Sequence, residues 1–201
     1  RSGLVLLSSP VLETGASRAF AFSPDGRYLA TTWSSGSGKV DLGGAARLWE
    51  IETGKEVARF WHDSKVRPVA FSPDGRHLAT VSGDGAVTLW PTTEDPKTYT
   101  LVDHTDSTWD ITFNPKRNSM ATAGEGGTIQ LWELDELKVS RLLSGHEQPV
   151  TDIAYNRNGR RLATASRDGT VRVWNLERDA EPRAPTRPEN RTTGRPARDP
   201  A

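Results

Sequence analysis

Apolar residues in this chain come in short runs, and a polar turn follows nearly every run. Val69-Ala70-Phe71 leads into Ser72-Pro73-Asp74-Gly75, and Leu78-Ala79-Thr80-Val81 follows. Asp84-Gly85 then breaks the chain before Val87 to Trp90. The same order returns as Ile153-Ala154-Tyr155, Asn156-Arg157-Asn158-Gly159, Leu162-Ala163-Thr164-Ala165, Asp168-Gly169 and Val171 to Trp174. Pro presets φ and Gly accepts a positive φ, so these polar stretches predict tight turns. Runs this short, without helical periodicity, predict antiparallel strands. A further strand fits Glu56 to Phe60, Lys97 to Leu101 and Val139 to Leu143.

The pattern is a repeat. Four tryptophans follow an aliphatic residue, at Trp49, Trp90, Trp132 and Trp174, with spacings of 41, 42 and 42. Phe22, Phe71, Phe113 and Tyr155 each precede a turn, though the third, Asn114-Pro115-Lys116-Arg117-Asn118, is degenerate. Nine residues after each aromatic stands a threonine: Thr31, Thr80, Thr122 and Thr164. Nine residues before it stands a histidine in three units, His62, His104 and His146, with Glu13 in the first. A unit of about 42 residues with four strands cannot bury both faces alone, and radial stacking covers them.

These residues resemble the WD-repeat β-propeller family. The fourth unit carries the pattern most fully: Gly145-His146, Val150, Ile153, Leu162-Ala163-Thr164-Ala165-Ser166 and Asp168-Gly169-Thr170-Val171-Arg172-Val173-Trp174. The likeness covers about residues 4–177. The residue after each tryptophan is Glu50, Pro91, Glu133 or Asn175, never the eponymous Asp, and the Gly before His is Trp61 and Asp103 in units two and three. The expected fold is all-β: a β-propeller of four-stranded antiparallel blades, with four repeats present as an open arc or a partial propeller. Residues 1–14 are expected to give an outer strand of a preceding or closing blade. Blade 1 is expected at 15–60, with a loop insertion at 33–45. Blade 2 is expected at 61–101, blade 3 at 102–143 and a three-stranded blade 4 at 144–177, before a disordered tail at 178–201. The family usually closes with seven or eight blades. With Arg1 rather than Met at the start, the chain reads as the C-terminal part of a larger protein, and its arginine bias suggests a bacterial one.

Composition removes several function classes. Lys+Arg and Asp+Glu are 26 each, so the formal net charge is zero. Residues 1–177 hold 20 basic and 22 acidic side chains, and the tail holds 6 and 4. Neither part selects a polyanion, and no nucleic-acid partner is expected. With no cysteine, thiolate metal sites, disulfides and cysteine nucleophiles are excluded. No apolar run reaches the roughly 18–20 residues of a membrane span, and Leu4 to Leu7 is too short for a signal peptide. No membrane partner and a cytoplasmic location are expected. The tail, with five prolines and six arginines, has too little apolar area to offset its ordering entropy.

Ser/Thr, His and Asp recur together, which invites a hydrolase reading. The repeat opposes it, because His62, Thr80, Asp84 and Trp90 return 84 residues later as His146, Thr164, Asp168 and Trp174. A catalytic constellation is normally built once. The family resemblance implies a structural tetrad in each blade, linking turn Asp, His, strand hydroxyl and indole N–H. The third unit has Gly126 where that Asp is expected. Histidines one blade apart do not converge on an ion, so no metal and no cofactor are expected. Gly124-Glu125-Gly126-Gly127 lacks the helix and Lys-Ser/Thr of a phosphate loop.

The resemblance implies binding on the top face, formed by loops before the first strand and between the second and third. Candidate partner contacts are Arg18, Trp33, Lys39, Arg67, Trp109, Asp110, Asp152 and Arg167. Trp109 shares its register with Arg18, Arg67 and Thr151, and is either an exposed anchor or packing between blades. Asp110 and Asp152 share another register, and either line the rim or bond loop amides. The insertion, with Trp33 and Lys39, is either a tolerated surface loop or a partner contact. The function expected is a non-catalytic scaffold for a protein or peptide. The alternative is a regulatory propeller appended to an upstream signalling ATPase or kinase. Remaining blades of a longer chain or a second copy are further partners.

Overall fold

The computed structural model describes residues 15–35, 43–92, 98–101 and 107–177. The expectations for 1–14, for 36–42 of the insertion and for the tail lie outside the described residues. The described residues form four separate antiparallel sheets. The first holds β1 (Gly15–Phe22), β2 (Tyr28–Ser35), β3 (Gly44–Glu50) and β4 (Lys55–His62). The second holds β5 (Val66–Phe71), β6 (His77–Ser82), β7 (Val87–Pro91) and β8 (Tyr99–Leu101). The third holds β9 (Thr108–Phe113), β10 (Ser119–Gly124), β11 (Ile129–Glu133) and β12 (Lys138–Leu143). The fourth holds β13 (Val150–Tyr155), β14 (Arg161–Ser166) and β15 (Val171–Asn175). Neighbours in sequence are neighbours in each sheet.

The turns follow their chemistry. Gly26 and Gly75 sit at φ +70° and close i→i+3 bonds of 2.9 Å to Ser23 and Ser72. The Ser23 hydroxyl donates to Asp25, as Ser72 does to Asp74, both at 2.6 Å. The degenerate third turn does something else. Asn114 is buried, and its side-chain N–H₂ donates to Gly159 O at 2.9 Å, tying the turns of the third and fourth sheets together. A Cβ on Gly159 would stand 2.1 Å from the Asn114 side chain, so that contact needs glycine.

The sheets stack through one repeated interface. Strands β1, β5, β9 and β13 lie side by side and form the inner row. Val69 and Leu78 of the second sheet pack on Ala30, Ala46 and Leu48 of the first. Ile111, Phe113, Met120 and Trp132 of the third pack on Ala79, Val81, Val87 and Leu89 of the second. Ile153, Leu162 and Trp174 of the fourth pack on Ala121, Ala123, Ile129 and Leu131 of the third. Small alanines on one face admit the bulky residues of the next, so each junction is a dry core. Among the described residues the row does not close, since no such packing joins β1 to β13.

The first sheet departs from the expected loop at 33–45. Trp33, Ser34 and Ser35 continue β2, and Gly44 and Ala45 begin β3, with Trp33 paired to Ala45. The insertion therefore lengthens a hairpin. β4 lengthens with it, and Gly44 pairs with His62. Extra ladder hydrogen bonds favour extension over a loop of unpaired backbone.

Candidate functional site

One link recurs in every sheet. The indole N–H of Trp49, Trp90, Trp132 and Trp174 donates to Thr31, Thr80, Thr122 and Thr164 at 2.9, 2.8, 2.9 and 3.0 Å. In the fourth sheet the chain continues. His146 Nε2 lies 2.7 Å from the Thr164 hydroxyl, and Nδ1 lies 2.8 Å from Asp168 Oδ2. A carboxylate only accepts, so Nδ1 donates to Asp168, and in the neutral tautomer that leaves Nε2 to accept from Thr164. The Thr170 hydroxyl, the chief cause, and His146 hold the Asp168 carboxyl well below the usual carboxylate range.

The second sheet corrects the expectation of an equal tetrad. Thr80 reaches His62 Nε2 at 2.9 Å, but among the described residues no hydrogen bond joins Asp84 to His62. Its Oδ1 accepts instead from the Ser82 hydroxyl and from the Ala86 amide, the latter at 3.1 Å. Three differences accompany this. Position 86 has no hydroxyl like that of Thr170, and the Ser166 hydroxyl that corresponds to Ser82 is spent on Gln148 O at 2.9 Å. His62 is also held in β4, whereas His146 lies past the end of β12 and follows Gly145 at φ 150°. Burial pushes the His62 ring below its ordinary value, against the pull of Asp84 and Asp63. In the third sheet His104 lies outside the described residues.

The loops expected to bind a partner meet at one end of the array. Gly83 N donates to Ser64 Oγ, Glu125 N to Ser107 O and Arg167 N to Pro149 O, each at 2.9 Å. At that end every inner strand carries a β-bulge. The register breaks between Ser17 and Phe20 in β1, between Val66 and Val69 in β5, opposite Ala123 and Gly124 in β9, and between Val150 and Asp152 in β13. The skipped residues include Arg18, Arg67, Trp109 and Thr151, the shared register noted in the sequence. A bulge re-aims the extra side chain out of the pleat. No residue type in the repeat signals it, because the bulge is a feature of pairing and not of composition.

Two pairs of candidates come together there. The Arg167 guanidinium stands 4.5 Å over the Trp109 ring, spanning the third and fourth sheets. Arg167 is exposed and Trp109 half-buried. Asp110 is bonded to strand amides, not loop amides: Ile111 N and Ile153 N each donate to it at 2.8 Å. Asp152 shares a hydrogen bond with it. Burial first, and the Asp152 carboxyl second, push Asp110 up to about 6 despite those amides. The remaining candidates stand apart. Arg67 is exposed on β5, and Trp33 is half-buried, with Arg47 5.8 Å over its ring. Arg18 lies in β1, and Lys39 lies outside the described residues. Among the described residues no group of three or more His, Asp or Glu could hold a metal ion, and no helix is long and apolar enough to cross a membrane.

A family model described as WD domain, G-beta repeat matches residues 54–91, 96–133 and 137–175. Each match spans the outer strand of one sheet and three strands of the next, so the sequence repeat and the sheet are offset by one strand. No curated protein matches the chain significantly.

Proposed function

The chain belongs to the WD40 repeat family, and from that membership we propose that it is a non-catalytic scaffold binding a protein or peptide across the bulged ends of its third and fourth blades. WD40 repeats generally serve protein interaction and are typically non-catalytic. The observation that carries the finer reading is the Arg167–Trp109 stack at 4.5 Å. Stacking holds the guanidinium flat while its edge N–H donors stay available to a carboxylate or a backbone carbonyl. A rigid aromatic beside a free-edged cation is the composition of an interface hot spot. Asp152, exposed and hydrogen-bonded to Asp110, the residue after Trp109, adds an acceptor for a partner's donor.

The test is selection of peptides from a displayed library on the immobilised chain. Trp109→Ala and Arg167→Ala should each weaken the selected peptides at least tenfold, a loss of about 1.4 kcal/mol or more. The melting temperature should move little, because the stack lies at the surface. Undiminished binding by both variants, or global unfolding of Trp109→Ala, would overturn this reading.

A further inference from the structure

The two open ends of the arc are the two halves of the interface that joins its blades. At each internal junction the second aliphatic of an inner strand packs on the preceding blade. Val69, Ile111 and Ile153 do so with exposures of 9, 5 and 4%. Phe20 holds the same register in the first blade and is 72% exposed, with Phe22 beside it at 60%. On the opposite face the third strand presents two aliphatics to the following blade. Val87 and Leu89 are 0 and 2% exposed, and Ile129 and Leu131 are 0 and 8%. Val171 and Val173 hold that register in the fourth blade and are 56 and 47% exposed.

A polar element repeats the same correspondence. Asp110 crosses one junction to accept the Ile153 amide. Asp152 stands in the register of Asp110 and is exposed, and Phe20 stands in the register of Ile153. The fourth blade thus ends in the acceptor, and the first begins at the position of the donor. We propose that the chain associates with a second copy of itself head to tail, the Phe20 face of one copy seated on the Val171–Val173 face of the next. The occupant is named by the three internal junctions, where faces of the same two kinds are already packed against each other. Such an interface is heterologous, so each copy offers one half of each kind.

This makes a test that a generic sticky patch fails. Light scattering of the wild-type chain at tens of micromolar should give at least twice the 22.0 kDa of one copy. Phe20→Glu and Val173→Glu should each be monomeric, because each retains only one half of the interface. Both sites are exposed in the single copy, so circular dichroism should match the wild type, and melting should match it at dilutions where the wild type is itself monomeric. An equimolar mixture of the two variants should restore a 1:1 dimer through the two intact halves. A monomeric wild type overturns the proposal. So does association that survives Phe20→Glu, which would mark pairing along the β15 edge, and so does a mixture that stays monomeric.

Discussion

Blades 2 and 4 carry the same four residues at the same spacing and wire them differently. In blade 4 the chain of bonds runs unbroken from Trp174 through Thr164 and His146 to Asp168. In blade 2 it stops at His62, and Asp84 serves its own turn. The residues that decide this lie outside the four. Thr170 orients Asp168 from its far oxygen at 2.6 Å, and blade 2 has Ala86 there. The insertion in blade 1 lengthens β3 and β4 and fixes His62 opposite Gly44. A motif therefore specifies which groups are present, while neighbouring hydroxyls and strand ends determine which of them meet.

The largest expected contrast comes from cutting the shared hydroxyl. Thr164→Val keeps shape and burial but leaves the Trp174 N–H and the His146 ring nitrogen without their partner in a dry site. His146 and Trp174 are 8 and 3% exposed, so the cost should be about 3 kcal/mol. Thr80→Val strands the same two groups, but Trp90 and His62 are both partly open to water, and about half that loss is expected. Urea unfolding with unchanged slopes measures both. Equal losses would mean that the deeper burial of the blade 4 pair adds nothing to the cost of stranding it.

Acid should separate the blades next. The His62 pKa is depressed in the fold, so the unfolded chain binds the extra proton first. Blade 2 is thus most stable above about pH 6.5 and loses stability as pH falls below it. Asp168 is a depressed carboxyl, whose contribution is complete above the unfolded value near pH 4 and is lost only as pH falls through its lower folded value. Amide exchange between about pH 6.5 and 5 should therefore show protection falling in β5 to β7 before β13 to β15. His62→Gln should remove that order, and a simultaneous loss in both blades would contradict the assignment.

Much of this architecture was legible in the chain. Turns with Pro-Asp-Gly, aliphatic-Trp strand ends and the 42-residue period locate strands directly, because each follows from local backbone chemistry. The tetrad members were legible as a set, and so was the register of Trp109 with Arg67 and Arg18. The bulge that aims the Trp109 and Arg67 side chains was not, since it arises where two strands lose register. The Asn114–Gly159 tie looked like a decayed turn, because its purpose lies 45 residues away. Asp110 was readable as rim or amide acceptor, and only packing of β9 beside β13 decides for the strand amide of Ile153. Pairing between elements is long-range, and one sequence does not print it.

The smallest effect sharpens the comparison most, because the two causes named for blade 2 make different predictions. If competition for Asp84 is decisive, Ser82→Ala with Ala86→Thr should turn the carboxylate. Removing the Ser82 hydroxyl leaves Oδ1 to the backbone amide of residue 86, and a threonine at 86 can orient the group as Thr170 orients Asp168. The newly paired imidazolium should then be favoured, so the His62 pKa should rise. Stability at neutral pH should gain about 1 kcal/mol, the net value of one added hydrogen bond. If instead the Gly44–His62 pairing holds the ring out of reach, the double variant should leave the His62 titration where it is. It would also lose about 1 kcal/mol with the Ser82 hydroxyl. The available hydroxyls differ at single positions and the backbone pairing is shared along a whole strand, so we expect the side-chain route to prevail. Histidine titration by NMR, read against melting of the same variant, decides between the two.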